Sequence, residues 1–305
     1  FSSARKLSAV TFDGVGTFVL GAPEFVLKPM PMRIDRIVKQ YAQMGLRVLV
    51  VGHSNGQIQG DKPPMGLKAI AIITLSDNIR PEAIDTIKWF KENDVKVKVI
   101  SGDNPLSVSV IAKKVGIENA SNYISLDGLT NDEVAQISSQ YIVFGRVSPE
   151  QKAVLIKSLK NQGNTVAMTG DGVNDILAMK QANCSIAMAS GSEAARNSSH
   201  IVLMDSNFSN MPQIILEGRK VINNVQRSAS LFLMKTIYSV LLALIEIVFW
   251  IITKPFESPF SPSHYYILEF LVIGFPSFFL ALQPNKMRIS GSFNRNVLFK
   301  ALPGG

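Results

Sequence analysis

Cysteine is almost absent from the 305 residues. Cys184 stands alone, which excludes an internal disulfide framework and a cysteine-rich zinc site. Three scattered histidines complete a composition that suits a reducing, cytosolic face. Charge is sparse as well, at 18%. No run of Lys and Arg interleaved with aromatics occurs, so nucleic acid is the weakest partner class, although 31 basic residues against 23 acids leave a formal charge of +8. That surplus points instead to anionic lipid or a phosphate-bearing ligand. There is no internal repeat and no low-complexity tract. The opening Phe1-Ser2-Ser3-Ala4-Arg5-Lys6 is polar and basic, unlike the apolar stretch of a signal peptide, and Phe1 stands where a Met would start a chain. The closing Leu302-Pro303-Gly304-Gly305 carries no helix-stop logic. Both ends read as cut, and the expectation is a fragment of a longer polypeptide.

What is present is apolar. Hydrophobic residues make up 47% and mean hydropathy is +0.19, which excludes a disordered or collagen-like chain. At about 150 residues per domain the length predicts two domains. The apolar mass is concentrated late. Leu231 to Ile252 reads LFLMKTIYSVLLALIEIVFWII, a stretch that rises about 33 Å as a helix, enough to cross a bilayer core. A second run covers Tyr265 to Leu282, and the link between them holds Pro255, Pro259 and Pro262. The pattern predicts a transmembrane hairpin; a buried helical pair in a soluble core is the alternative. Arg219, Lys220 and Arg227 precede the first run, and Lys286, Arg288, Arg295 and Lys300 follow the second. The link carries only Lys254 beside Glu257, so the positive-inside bias puts both flanks in the cytoplasm.

Residues 61–225 alternate strand and helix patterns. Strands are predicted over Ala69–Thr74, Val95–Ile100, Tyr141–Phe144, Thr165–Met168, Ser185–Met188 and His200–Leu203. Helices are predicted over Pro81–Asn93, Pro105–Val115, Asn131–Ser138, Pro149–Gln162 and Asp175–Ala182. This implies an α/β fold with a doubly wound, mostly parallel sheet, whose ligands bind beyond the carboxyl ends of the strands. Residues 1–60 differ: Leu7–Phe12 and Thr17–Leu20 flank Asp13-Gly14-Val15-Gly16 as a hairpin, followed by a helix (Met32–Met44) and a strand (Arg47–Gly52).

The sharpest chemical segment is Met168-Thr169-Gly170-Asp171-Gly172-Val173-Asn174-Asp175, at the end of an apolar strand. Asp171 and Asp175 can face one pocket, and hard carboxylate oxygens there suit Mg²⁺ shared with a substrate phosphate. A capped turn with solvated acids is the bland alternative. Ile100-Ser101-Gly102-Asp103 ends another strand, and a hydroxyl followed by Gly and a helix N-terminus can grip phosphate. Arg146-Val147-Ser148-Pro149-Glu150-Gln151-Lys152 puts Lys152 in the first turn of a helix, where it either neutralises a phosphoryl group in transfer or is simply solvated. A hydroxyl, a lysine and two aspartates at successive strand ends resemble the site of the haloacid-dehalogenase-like phosphotransferases. The nucleophilic Asp of a DxxGT pattern at the first strand end is what that set still lacks.

From Phe1 to about Pro284 the chain resembles a P-type cation-transporting ATPase. FSSARKLSAV and LGAPE are similar to its nucleotide-binding domain, LSDNIRPEA to its hinge, and SGDN, RVSPEQK and TGDGVND to its phosphorylation domain. EGRKVINNVQR and the two apolar runs resemble the approach to its fifth and sixth membrane helices. No DKTGT, actuator domain or earlier membrane helix is present. The resemblance implies a partial α+β nucleotide-binding domain (1–76), a haloacid-dehalogenase-like phosphorylation domain (77–225) and a transmembrane helical hairpin with a basic tail (226–305). It implies ATP and Mg²⁺ as cofactors, a transported cation (calcium or another) and a lipid bilayer as partners, and a multi-pass place in a bacterial plasma membrane.

The same resemblance assigns roles. Phe1 matches the adenine-stacking residue, Arg5 and Lys6 its basic neighbours, and Arg47 an arginine reaching the phosphates across the hinge. Leu20 departs from the lysine that many relatives carry before GAPE. Asp77 and Arg80 match the hinge pair, Asp103 and Arg146 groups near the ribose, and Ser101 and Lys152 the phosphoryl-gripping pair. Asp171 matches the Mg²⁺ ligand, with Asn174 and Asp175 supporting it and Asp175 a second choice of ligand. Asp13-Gly14-Val15-Gly16-Thr17 mimics a DxxGT nucleophile loop, so two readings compete: a hairpin turn of the nucleotide domain, or the nucleophile of a membrane-anchored phosphatase. A third reading is a non-catalytic nucleotide-binding fragment.

Lys235, Glu246 and Glu269 lie inside the apolar runs, where an ionisable group is costly. Lys235 either snorkels or has a role, and Glu246 can pair within a bundle. Gly274-Phe275-Pro276 predicts a broken second span, because Pro removes a helix bond, and broken helices expose cation-binding carbonyls. By resemblance Glu269 occupies a cation-ligand position, whereas Thr236, Ser239 and Ile273 replace other ligands of the two-calcium pumps.

Overall fold

The computed structural model describes residues 7–58, 60, 62–76, 78–253, 263, 266–267 and 269–304. It divides into two compact units, residues 1–209 and 210–305. Phe1, Arg5, Lys6, Asp77 and the Pro-rich link 254–262 lie outside the described residues.

The first unit opens with a four-stranded antiparallel sheet. β1 (Leu7–Phe12), β2 (Gly16–Gly21), β3 (Arg47–Ser54) and β4 (Lys68–Leu75) pair in chain order. The β1–β2 turn places Phe12 opposite Gly16, and Gly14 and Gly16 take positive φ (74° and 104°), which a side chain would resist. Helices α1 (Pro23–Val26) and α2 (Met32–Gln43) connect β2 to β3. Val19, Val26, Leu27 and Val50 are buried together beneath the sheet. Each such side chain withdrawn from water contributes about 1.5–3 kcal/mol.

Parallel strands follow, each introduced by a helix. They are α3 (Pro81–Glu92), β5 (Val99–Ile100), α4 (Pro105–Lys114), β6 (Tyr123–Ser125), α5 (Asn131–Ile137), β7 (Val143–Gly145), α6 (Pro149–Asn161), β8 (Ala167–Gly170), α7 (Ile176–Gln181), β9 (Cys184–Met188), α8 (Glu193–Asn197) and β10 (Ile201–Leu203). Pro81, Pro105 and Pro149 each open a helix, where the missing N–H costs nothing. The fold is mixed α/β with parallel sheets, but the single doubly wound sheet expected from the sequence is corrected. Two three-stranded parallel sheets form instead, ordered β5-β7-β6 and β10-β9-β8. Every described strand of the segment is already used in one or the other, which leaves none to join the free edges of β5 and β8. The expected strand Val95–Ile100 likewise shortens to two residues, because its ladder partner β7 starts only at Val143. The two sheets share a helix: α6 sends Leu155 into the cluster of Leu126, Val134 and Phe144, and Ile156 into that of Met168, Met179 and Ala187.

The second unit is helical. α9 runs unbroken over Met211–Thr253. Among the described residues, one helix, Phe208–Thr253, is long and apolar enough to cross a membrane, and its most apolar stretch is not buried by the rest of the chain. Among the described residues the second apolar run is continuously helical over Glu269–Leu282. Its expected break at Gly274–Pro276 is corrected. A π-helical turn, Glu269–Gly274, leads directly into α10 (Phe275–Leu282), with Pro276 in the first turn of α10. The wider π turn absorbs the clash and missing N–H that proline brings to an α-helix. α11 (Phe293–Ala301) packs back on α9, burying Val297 and Ala301.

Candidate active site

A cleft of about 980 Å³ in the first unit is lined by the ends of β2, β3, β5, β7 and β8 and by the first turn of α6. Its floor is built by α6. Ser148 caps the helix by accepting from the Gln151 N–H at 3.2 Å, and the Gln151 side chain accepts from the Ser148 N–H at 3.0 Å. The Gln151 amide also donates to the Leu126 and Leu129 carbonyls, both at 3.0 Å. This fixes the turn that presents Lys152.

Lys152 Nζ donates to Asp175 Oδ1 at 2.6 Å, and the two side chains are only 13% and 11% exposed. The other oxygen, Oδ2, accepts from the Asp171 and Gly172 N–H groups, both at 3.3 Å. Asp175 is therefore a brace for the loop after β8, whereas Asp171 and Asn174 stand exposed at the cleft. Two glycines make the loop possible. A Cβ on Gly170 would lie 2.6 Å from Asp175 Cβ, and one on Gly191 would lie 2.5 Å from the Asp171 carbonyl oxygen, which accepts from Ser192 N–H at 2.7 Å.

Among the described residues no group of three or more His, Cys, Asp or Glu could enclose a metal. Mg²⁺ does not require one: it keeps several waters and usually takes one or two carboxylates plus substrate phosphate oxygens. The exposed Asp171 carboxylate fits that habit. Asp175 fits less well, since both of its oxygens are engaged.

On the opposite wall Arg47 Nε pairs with Asp103 Oδ1 at 3.1 Å, joining β3 to the loop after β5. Arg146 is 92% buried and takes a positive φ of 55°, uncommon for a residue with a side chain. Its guanidinium pairs with Glu24, donates to the Gly102 carbonyl at 3.2 Å and lies 5.7 Å from the Phe25 ring, while its Nε has no hydrogen-bond partner. The Ser101 hydroxyl accepts from the Asp103 N–H at 3.1 Å, which leaves its own O–H as a donor. The structure thus brings Arg47, Asp103, Arg146, Lys152, Asp171, Asn174 and Asp175 to one cleft, with Ser101 just behind it.

Sequence reading missed Glu24 and Gln151. The first carries a signal, an acid just after the helix-opening Pro23; the second completes an S-x-x-Q capping box. Asp13 lies exposed at the tip of the β1–β2 hairpin and does not line the cleft. Arg80 donates to the Ser206 carbonyl at 3.4 Å.

In the second unit Lys235 Nζ pairs with Glu269, at the start of the π turn. Thr236 gives its hydroxyl to the Phe232 carbonyl at 3.1 Å, and Ile273 is fully buried.

The model of the haloacid dehalogenase-like hydrolases matches residues 8–183, and the chain belongs to that family. Within it, the chain is homologous from end to end to cation-transporting P-type ATPases. It is 40% identical over 99% of its length to the probable cation-transporting ATPase exp7 of Streptococcus pneumoniae. It is also 40% identical over its full length to the calcium-transporting ATPase CtpE of Mycobacterium tuberculosis, and 31% identical over 98% to a probable cation-transporting P-type ATPase of Mycoplasma genitalium. The chain spans 37–39% of the length of these relatives.

Proposed function

We propose that this chain is the part of an ATP-driven cation pump that grips nucleotide and phosphoryl group and contributes membrane-spanning helix. In this reading residues 1–76 belong to the nucleotide-binding domain, 77–225 to the phosphorylation domain and 226–305 to the membrane. The observation that carries it is the braced Lys152 beside Asp171 at the mouth of two strand ends, in a chain homologous to cation pumps. Transfer breaks the bond from the γ-phosphorus to the bridging oxygen of ATP and forms one to an aspartate oxygen, releasing ADP; water later cleaves the acyl phosphate. No DKTGT occurs in these 305 residues, so the acceptor aspartate is supplied by other sequence of the pump.

Asp175 accepts from one of the three Lys152 N–H groups and leaves two to meet phosphoryl oxygens. In this reading the ammonium supplies positive charge to the oxygens over which charge spreads during transfer. Asp171 would hold Mg²⁺, which when bound supplies further neutralisation of the phosphate. In this reading Arg47 and Asp103, paired at the cleft, meet the rest of the nucleotide, with Phe1, Arg5 and Lys6 assigned to its base and phosphates by resemblance. Glu269 is the proposed ligand of the transported cation, and calcium is the named cargo of one set of relatives.

Incubation with radiolabelled ATP tests the reading. The chain alone should acquire no acid-stable label, and co-expression with the upstream part of its gene should yield label on an aspartate there. Label on Asp13 of the chain alone would replace the pump with a phosphatase.

A further inference from the structure

The seven basic residues that flank the apolar runs are set against a single acid, Glu217, which Lys220 already engages at 3.1 Å. Two of the seven meet in a built place. Arg227, Gln283, Pro284, Asn285, Lys286 and Met287 line a shallow pocket of the second unit that contains no carboxylate. Arg227 lies one helical turn before the apolar run of α9, and Gln283 is the first residue after α10, so the pocket opens where both apolar segments end.

Side chains of α9 hold its far wall in place. Asn224 donates to the Ala281 carbonyl at 2.8 Å, and Asn223 donates to the carbonyls of Asn285 and Met287 at 3.1 and 2.8 Å. Arg227 Nη1 donates to Gln283 Oε1 at 3.3 Å, which keeps the Gln283 amide N–H₂ as a further donor. Guanidinium, amide and the ammonium of Lys286 are donors without a competing acid. Met287, 71% exposed, adds an apolar edge. α10 exposes Leu282 next to the pocket and Phe278 one turn further on, and α9 exposes Leu241 and Leu244 farther along its apolar run.

We infer that this pocket binds the phosphodiester headgroup of an anionic membrane lipid, with the acyl chains lying along the exposed apolar faces of α9 and α10. The inference rests on the reading of α9 as a membrane helix. A free phosphate would use the same donors, but the pocket opens where both apolar segments end, which is headgroup depth, and its Met287 edge matches the apolar part of a lipid rather than a bare ion. Basic pockets at the cytoplasmic ends of membrane helices have this chemistry.

The test uses the whole chain reconstituted in phosphatidylcholine vesicles doped with spin-labelled phosphatidylglycerol or spin-labelled phosphatidylcholine. The readout is the motionally restricted lipid fraction. Phosphatidylglycerol should be preferred by about fivefold per basic side chain engaged. Arg227→Gln/Lys286→Gln should abolish the preference, whereas Arg295→Gln/Lys300→Gln, with the same loss of charge, should keep it. Equal restriction of the two lipids by the unaltered chain would overturn the pocket, and so would equal loss of preference in both double variants, which would mean diffuse surface charge. Displacement of the labelled phosphatidylglycerol by millimolar inorganic phosphate at constant ionic strength would reassign the pocket to a soluble anion. Restriction of neither lipid would instead refute the membrane reading itself, and the lipid site with it.

Discussion

Replacing Asp175 with Asn probes the centre of the cleft most directly. The carboxylate is 11% exposed and Lys152 13%, so the pair is largely removed from water. Asn keeps the shape but turns either a neutral oxygen or an N–H₂ toward the ammonium. The Asp171 and Gly172 N–H groups can still be satisfied by its oxygen, but Lys152 then faces a donor. Breaking one side of a buried pair costs about 3–5 kcal/mol, mostly because the remaining charge is stranded. Lys152→Met added to Asp175→Asn removes that stranded charge and should recover about half of the loss. Guanidinium unfolding in detergent, followed by Trp89 fluorescence in a Trp250→Phe background, reports on the first unit alone, since the chain has only two tryptophans. A single-variant loss below about 0.5 kcal/mol, the range of an ordinary surface change, or strictly additive losses in the double variant, would refute the brace.

Three further outcomes follow from the geometry. Gly170→Ala should lower stability by about 1–3 kcal/mol in the same assay, because its Cβ would enter the space of Asp175; an unchanged midpoint would show that the loop is looser than described. Burial pushes the Cys184 thiol above its ordinary 9.0, so iodoacetamide should alkylate it more slowly than free cysteine at mildly alkaline pH, and at the free rate after unfolding. The N–H and hydroxyl of Thr130 hold the Glu133 carboxyl below its ordinary 4.5. Its contribution is then present above the unfolded value and lost as pH falls through the lower folded one, so Glu133→Ala should destabilise at neutral pH and lose its effect in strong acid, read as denaturation midpoints at the two pH values.

Local signals were the readable ones. Pro81, Pro105 and Pro149 announced helix starts because ring geometry acts on one residue at a time. The segment from Gly170 to Asp175 announced a strand-to-helix turn for the same reason. The sequence could not announce that Asp175 faces Lys152, 23 residues away, rather than solvent. Nor could it show that Arg146 is buried against Glu24, since a guanidinium in a loop carries no mark of what will cover it. Sheet continuity was illegible because a strand pattern states which residues are apolar, not which strand lies alongside. At Pro276 the pattern foretold the disturbance but not its form, because a π turn and a break relieve the same clash.

No ladder ties β5-β7-β6 to β10-β9-β8, so the backbone does not oblige the two halves to melt together. That obligation falls on side chains: Leu155 and Ile156 of α6, one toward each core, and Ile100 of β5, which packs against both. Coupling between the two parallel sheets is therefore carried by α6 together with Ile100, and amide exchange in both sheets should rise in step when Leu155 or Ile156 is shortened. The helix whose first turn offers Lys152 to the cleft thus also rivets the two sheet cores together, so a load applied at that lysine is felt by both.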